Sequence, residues 1–96
     1  LHGHEVVIAK NALEALAQTM NTRFALIFCD LDLPGMSGIE LTRVWRNQGL
    51  QMPIVALTAR TQPEAESQCM QAGMNYFLRK PVNGQQLQDA IDALLH

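Results

Sequence analysis

The sequence predicts an α/β fold, a mainly parallel sheet with helices on both faces, and three observations predict it. Short aliphatic runs alternate four times with stretches of helical periodicity. The first three runs carry apolar residues at successive positions rather than in alternation, as strands buried on both faces do. The connections are short, so right-handed crossovers must carry the helices back over the sheet. At 96 residues the chain is long enough for one domain, residues 1–96, with a modest core.

Each element has its own signals. Val6-Val7-Ile8-Ala9 is a β-branched run of strand length. Asn11 offers an N-cap to a helix with Leu13, Leu16, Ala17 and Met20 as its apolar face. A second strand, Ala25 to Cys29, ends at Asp30, and Pro34, Gly35 and Gly38 mark the loop beyond it. Ser37 can cap a helix whose apolar positions are Ile39, Leu41, Val44 and Trp45, with Gly49 as its stop. Pro53 to Leu57 is a third strand, ending at Thr58. A helix from about Pro63 sets Ala65, Cys69 and Ala72 on one thin face and stops at Gly73. Tyr76-Phe77-Leu78 is a short fourth strand leading to Arg79, Lys80 and Pro81. Asn83 can cap the last helix, where Leu87, Ile91, Leu94 and Leu95 form a stripe.

Composition excludes several classes. Hydrophobic residues make up 48% and charged residues 17%, which fits neither disorder nor a solvated coil. A net charge of −2 is the wrong sign for direct nucleic-acid binding. No apolar run reaches the roughly 20 residues of a membrane span, and no leader pattern opens the chain. Cys29 and Cys69 stand in apolar contexts without metal-ligand spacing. A reduced, cytoplasmic setting is therefore expected.

Ligands of open α/β sheets bind outside the carboxyl ends of the strands. Asp30, Thr58 and Lys80 all stand at such ends, 28 and 22 positions apart. Singly, each has an ordinary explanation: a turn former, a β-former, a solvated charge. On one edge, a carboxylate, a hydroxyl and an ammonium suit phosphoryl transfer. The carboxylate can hold the group as an acyl phosphate, while the lysine and hydroxyl stabilise the phosphoryl oxygens. A divalent cation, Mg²⁺ by its oxygen ligands, is expected to offset the like charge of carboxylate and phosphate.

The residues also carry a family resemblance. Phe28 to Gly38 (FCDLDLPGMSG) resembles the phosphoacceptor segment of response-regulator receiver domains. Pro53 to Ala59 (PIVALTA) resembles that family's strand with its phosphate-binding Thr or Ser. Gly73 to Val82 (GMNYFLRKPV) resembles its strand leading to Lys-Pro, and Leu1 to Ala9 resembles its second strand. The resemblance implies a flavodoxin-like, doubly wound parallel sheet and a phosphorelay function. A histidine kinase or histidine phosphotransfer domain would donate a phosphoryl group to Asp30. It implies that Thr58 and Lys80 bind the phosphate, and that metal ligands come from Asp30 and the backbone carbonyl of Asp32. It further implies a switch made of Thr58 and Phe77, and a cis bond before Pro81. GMNYFLRKPV resembles receivers of hybrid sensor kinases, which would place this segment in the cytoplasmic part of a membrane sensor.

One part of the family pattern is missing. Receivers open with a strand ending in an acidic pair that binds Mg²⁺, followed by a first helix, and this sequence starts at the end of that helix. The expected fold is therefore truncated, with four strands, four helices and no central first strand. The strands at Val6 and Ala25 must then face each other across a gap or pair directly. Metal binding should be weak or absent, and exposed edges invite self-association. Two other readings remain. A truncated receiver can serve as a phosphorylation-incompetent interaction module. A haloacid-dehalogenase-like phosphatase also uses Asp-x-Asp, as in Asp30-Leu31-Asp32, but Pro34 breaks its signature and no acidic pair follows Lys80. His2, His4, Met36, Met74 and Trp45 are read as solvent-facing or packing residues.

Overall fold

The computed structural model describes residues 6–9, 12–21, 24–32, 37–59 and 63–95. Eight elements alternate as expected: β1 (Val6–Ala9), α1 (Ala12–Asn21), β2 (Leu26–Asp30), α2 (Gly38–Asn47), β3 (Ile54–Thr58), α3 (Pro63–Ala72), β4 (Tyr76–Arg79) and α4 (Gly84–Leu95). The four strands form one parallel sheet in the order β1-β2-β3-β4. Of the two outcomes open to the first strands, direct pairing is the one observed, with Val6 opposite Leu26 and Ala9 opposite Cys29. Asn11, His2, His4 and Met36 lie outside the described residues.

The order of the strands decides the layers. The chain crosses the sheet in one direction, so crossovers of one hand put α1, α2 and α3 on the same face. Ala15, Leu41, Trp45 and Cys69 from these helices pack with Ile27, Cys29, Ile54 and Ala56 of the sheet. The alternate strand residues Leu26, Phe28, Val55 and Leu57 point to the other face, where Ala90 and Ile91 of α4 cover them. Both sets of residues on β2 and β3 are buried, which explains the uninterrupted apolar runs.

Helix ends follow their local chemistry. Ser37 Oγ accepts the Glu40 N–H at the start of α2. Asn83 and Gln86 exchange reciprocal bonds at the start of α4, a capping box. At the end of α2, Gly49 takes φ +84° while the Gly49 and Leu50 N–H groups close on the Arg46 and Trp45 carbonyls, a Schellman motif.

One expectation needs correcting. The predicted face of α1 included Ala17 and Met20, but both are exposed, Met20 at 81%. Ala15 is buried instead, with Leu16 half-buried beside it. The physical reason is Trp45, whose large buried indole occupies the space between α1 and α2 and donates from Nε1 to Thr19 Oγ1 at 2.9 Å. A small inward residue and a hydroxyl suit that neighbour, and a methionine does not. By contrast α3 buries its expected face of Ala65, Cys69 and Ala72, and Met74 is core.

Candidate functional site

The site is assembled by strand register. Asp30 is the last residue of β2 and pairs with Leu57, while Thr58 ends β3 and pairs with Arg79. Bonds from Leu31 N to Leu57 O (2.9 Å) and from Lys80 N to Thr58 O (2.8 Å) extend the ladder one step beyond each strand. The carboxyl ends of three adjacent strands thus present Asp30, Thr58 and Lys80 on one edge.

Side-chain contacts close the cluster. Lys80 Nζ donates to Asp30 Oδ2 at 2.6 Å and lies 3.7 Å from Asp32 Oδ2. The other oxygen of Asp30 accepts the Asp32 N–H at 2.8 Å, an Asx turn that bends the chain back over the strand end. Asp32 Oδ2 also accepts the Ala59 N–H at 3.4 Å. The hydrogen bond to Asp30 holds the Lys80 ammonium above the usual lysine range; partial burial opposes this, and the charges of Asp30 and Asp32 reinforce it. Asp30 and Lys80 stay 27% and 33% exposed, enough for an incoming group to reach them.

Around this cluster the packing is tight. Gly38 opens α2 directly beneath it, and a Cβ there would lie 2.9 Å from Leu31 Cδ2 and 3.0 Å from both Asp30 O and Cys29 Sγ. Burial, with Asp30 and then Cys69 nearby, pushes the Cys29 thiol up to about 12. It stays protonated and inert beside the carboxylate. Thr58 is fully buried, and no buried side-chain nitrogen or oxygen among the described residues lacks a partner. Phe77 is half-buried against the core on the three-helix face, and Tyr76 is 38% exposed. The peptide bond between Lys80 and Pro81 is cis.

Asp30, Asp32 and Lys80 are therefore in direct contact, while Thr58 meets Lys80 through its backbone carbonyl. Among the described residues no group of three His, Cys, Asp or Glu is placed to hold a metal ion. Two carboxylates that share an ammonium are a poor match for the oxygen-rich shell of a hard divalent cation. Sequence reasoning missed the Ala59 N–H, the steric role of Gly38 and the Arg46–Asn75 contacts described below. None leaves a signal in periodicity or composition, because each depends on a backbone approach that exists only once the units are packed.

Comparison with known proteins fits this architecture. The family model described as response regulator receiver domain matches residues 1–92. The chain is 38% identical over 93 residues to the two-component response regulator PhoP of Pseudomonas aeruginosa, covering 97% of this chain and 41% of that protein. It is 42% identical over 93 residues to the sensor histidine kinase AruS of the same species, covering 93% of this chain and 9% of that protein. It thus spans less than half the length of either relative. Among solved structures, a two-component response regulator from Clostridium difficile superposes with a TM-score of 0.89 at 22% identity, covering 96% of this chain and 95% of that one. The receiver domain of the Pseudomonas aeruginosa sensor kinase PA1611, solved with magnesium coordinated in its active site cleft, gives 0.84 at 25% identity, covering 97% and 98%.

Proposed function

The chain belongs to the response-regulator receiver-domain family of two-component signalling, and from that premise we propose that Asp30 is its phosphoacceptor. The observation that carries this reading is the 2.6 Å contact between Lys80 Nζ and Asp30 Oδ2 at the carboxyl edge of the sheet. Each carboxylate oxygen retains a lone pair beyond the hydrogen bond it accepts. One oxygen bonds to phosphorus as the P–N bond of a phosphohistidine breaks, and the electron pair stays on the imidazole nitrogen, which takes up a proton. Lys80 and the Thr58 hydroxyl then face the new phosphoryl oxygens. Thr58 moves toward the phosphate, Phe77 turns into the space released, and the α3–β4–α4 side repacks, a population shift biased by charge.

The donor in this reading is a histidine kinase or histidine phosphotransfer domain, and the relay operates in the cytoplasm. No helix among the described residues is long and apolar enough to cross a membrane. Mg²⁺ would supply charge neutralisation to this chemistry, but Asp30 and Asp32, which share the Lys80 ammonium, make a weak site for it. That weak site favours one second reading, an interaction module that is never phosphorylated.

Incubation with acetyl phosphate and Mg²⁺, followed by intact-mass measurement, separates the two. The expected result is a labile phosphate-sized adduct that Asp30→Asn abolishes and Lys80→Ala reduces. No adduct on the parent chain leaves the interaction module. Full labelling of Asp30→Asn means the acceptor lies elsewhere.

A further inference from the structure

At the opposite end of β4 from Lys80, the Arg46 guanidinium holds four contacts. Nε and Nη2 donate to Gly73 O at 3.0 and 2.8 Å, Nη2 also to Asn75 Oδ1 at 3.0 Å, and Nη1 to Leu50 O at 2.9 Å. Asn75 in turn locks onto β3: its N–H donates to Ile54 O at 2.8 Å, and its Oδ1 accepts the Ile54 N–H at 3.0 Å. These acceptors are three neutral oxygens from two chain segments, and burial lowers the affinity of the guanidinium for its proton. Gly73 has φ +113°, and a Cβ there would lie 2.9 Å from Arg46 Cγ, so the turn both requires glycine and makes room for the arginine.

We propose that Arg46, through Asn75, is a positioning residue that fixes the register of β4 and so delivers Lys80 to Asp30. β4 needs such a pin. It is a four-residue edge strand, hydrogen-bonded in the sheet to β3 alone, with exposed or half-buried side chains. A slip of one residue would turn every side chain to the opposite face and bring Arg79 forward in place of Lys80. The five steps from Asn75 to Lys80 span about 16 Å of extended chain, so a pin at one end sets the position of the other. Arginine suits the task because its planar fork spans several acceptors at once, which a lysine ammonium cannot.

The inference rests on Lys80 and Asp30 being the reactive pair, but its test does not need phosphorylation. The chain has two lysines, Lys10 and Lys80, so isotope-labelled lysine gives two side-chain NMR signals, assigned with Lys10→Arg. At neutral pH the 2.6 Å contact with Asp30 sets the Lys80 side-chain shift, and Asp30→Asn marks the value without that contact. Arg46→Gln and Arg46→Met are expected to move the Lys80 shift to that value, under conditions where Trp45 fluorescence reports a folded chain. Thr19→Val, a destabilising change between α1 and α2, leaves it in place. Labelling by acetyl phosphate slows roughly ten- to a hundredfold in the Arg46 variants, the order that a misplacement of about 1 Å costs. An unchanged Lys80 shift in folded Arg46 variants overturns the proposal. Should neither variant fold, Asn75→Ala, which removes the shared oxygen, decides by the same reading. Failure of the phosphoacceptor reading is distinct: Asp30→Asn labels fully whatever the Arg46 variants do.

Discussion

Gly38 and Gly84 occupy the same position in different helices, each the first residue after a capping side chain. Replacing either with alanine brings the same intrinsic gain, at most about 1 kcal/mol and less in a first turn. Their surroundings differ. A Cβ at Gly84 meets nothing within 4 Å, whereas one at Gly38 meets three atoms at 2.9–3.0 Å. One of these is the carbonyl of Asp30, which cannot retreat without moving the proposed acceptor. Overpacking of this kind costs about 1–3 kcal/mol. Gly84→Ala should therefore be neutral or slightly stabilising, and Gly38→Ala should be about 1–3 kcal/mol less stable than Gly84→Ala. Urea unfolding followed by the fluorescence of the single tryptophan, buried Trp45, reads both. A slope of about 1–3 kcal/mol per molar urea makes the expected difference about 1 M in midpoint. Equal shifts of the same sign in both variants would refute the packing argument.

Stability should fall in alkali. Cys29 is raised to about 12 and Lys80 is raised as well, so the folded chain binds more protons than the unfolded one above about pH 9. The contribution is complete below that pH and lost as pH climbs toward 12; for Cys29 it amounts to about 4 kcal/mol. Urea midpoints between about pH 8 and pH 11 should drop steeply, and Cys29→Ala should flatten the profile. Thr19→Val leaves the buried Trp45 Nε1 without its acceptor and should cost about 1–3 kcal/mol, with a shift in tryptophan emission. Asn83→Ala removes half of a capping box and should cost about 1 kcal/mol, whereas Asn83→Ser should restore most of it; equal loss in both would argue against the cap.

Much of this was legible in the sequence because it is local. Alternation of strand and helix needs only periodicity and stop signals, and Ser37, Gly49, Gly73 and Asn83 act within a few residues of themselves. Asp30, Thr58 and Lys80 could be put on one edge because the carboxyl ends of parallel strands share an edge by construction. What was not legible depends on packing between units. The apolar positions of α1 gave no warning that Trp45 would take the space and turn Ala15 inward. Arg46 reads as an ordinary charge in the last turn of a helix until the Gly73 turn comes within its reach.

Because each strand lies beside its neighbour in the chain, every ladder forms between consecutive βα units. Such a sheet can grow outward from one end, each crossover step closing a loop of about one unit rather than spanning the domain. The face beneath α4 is the exception. Among the described residues Leu26, Phe28, Val55 and Leu57 take their helical cover from α4, far from β2 in the chain. Closing that face is therefore the long-range step, and while it is pending the apolar flank is open to wrong partners.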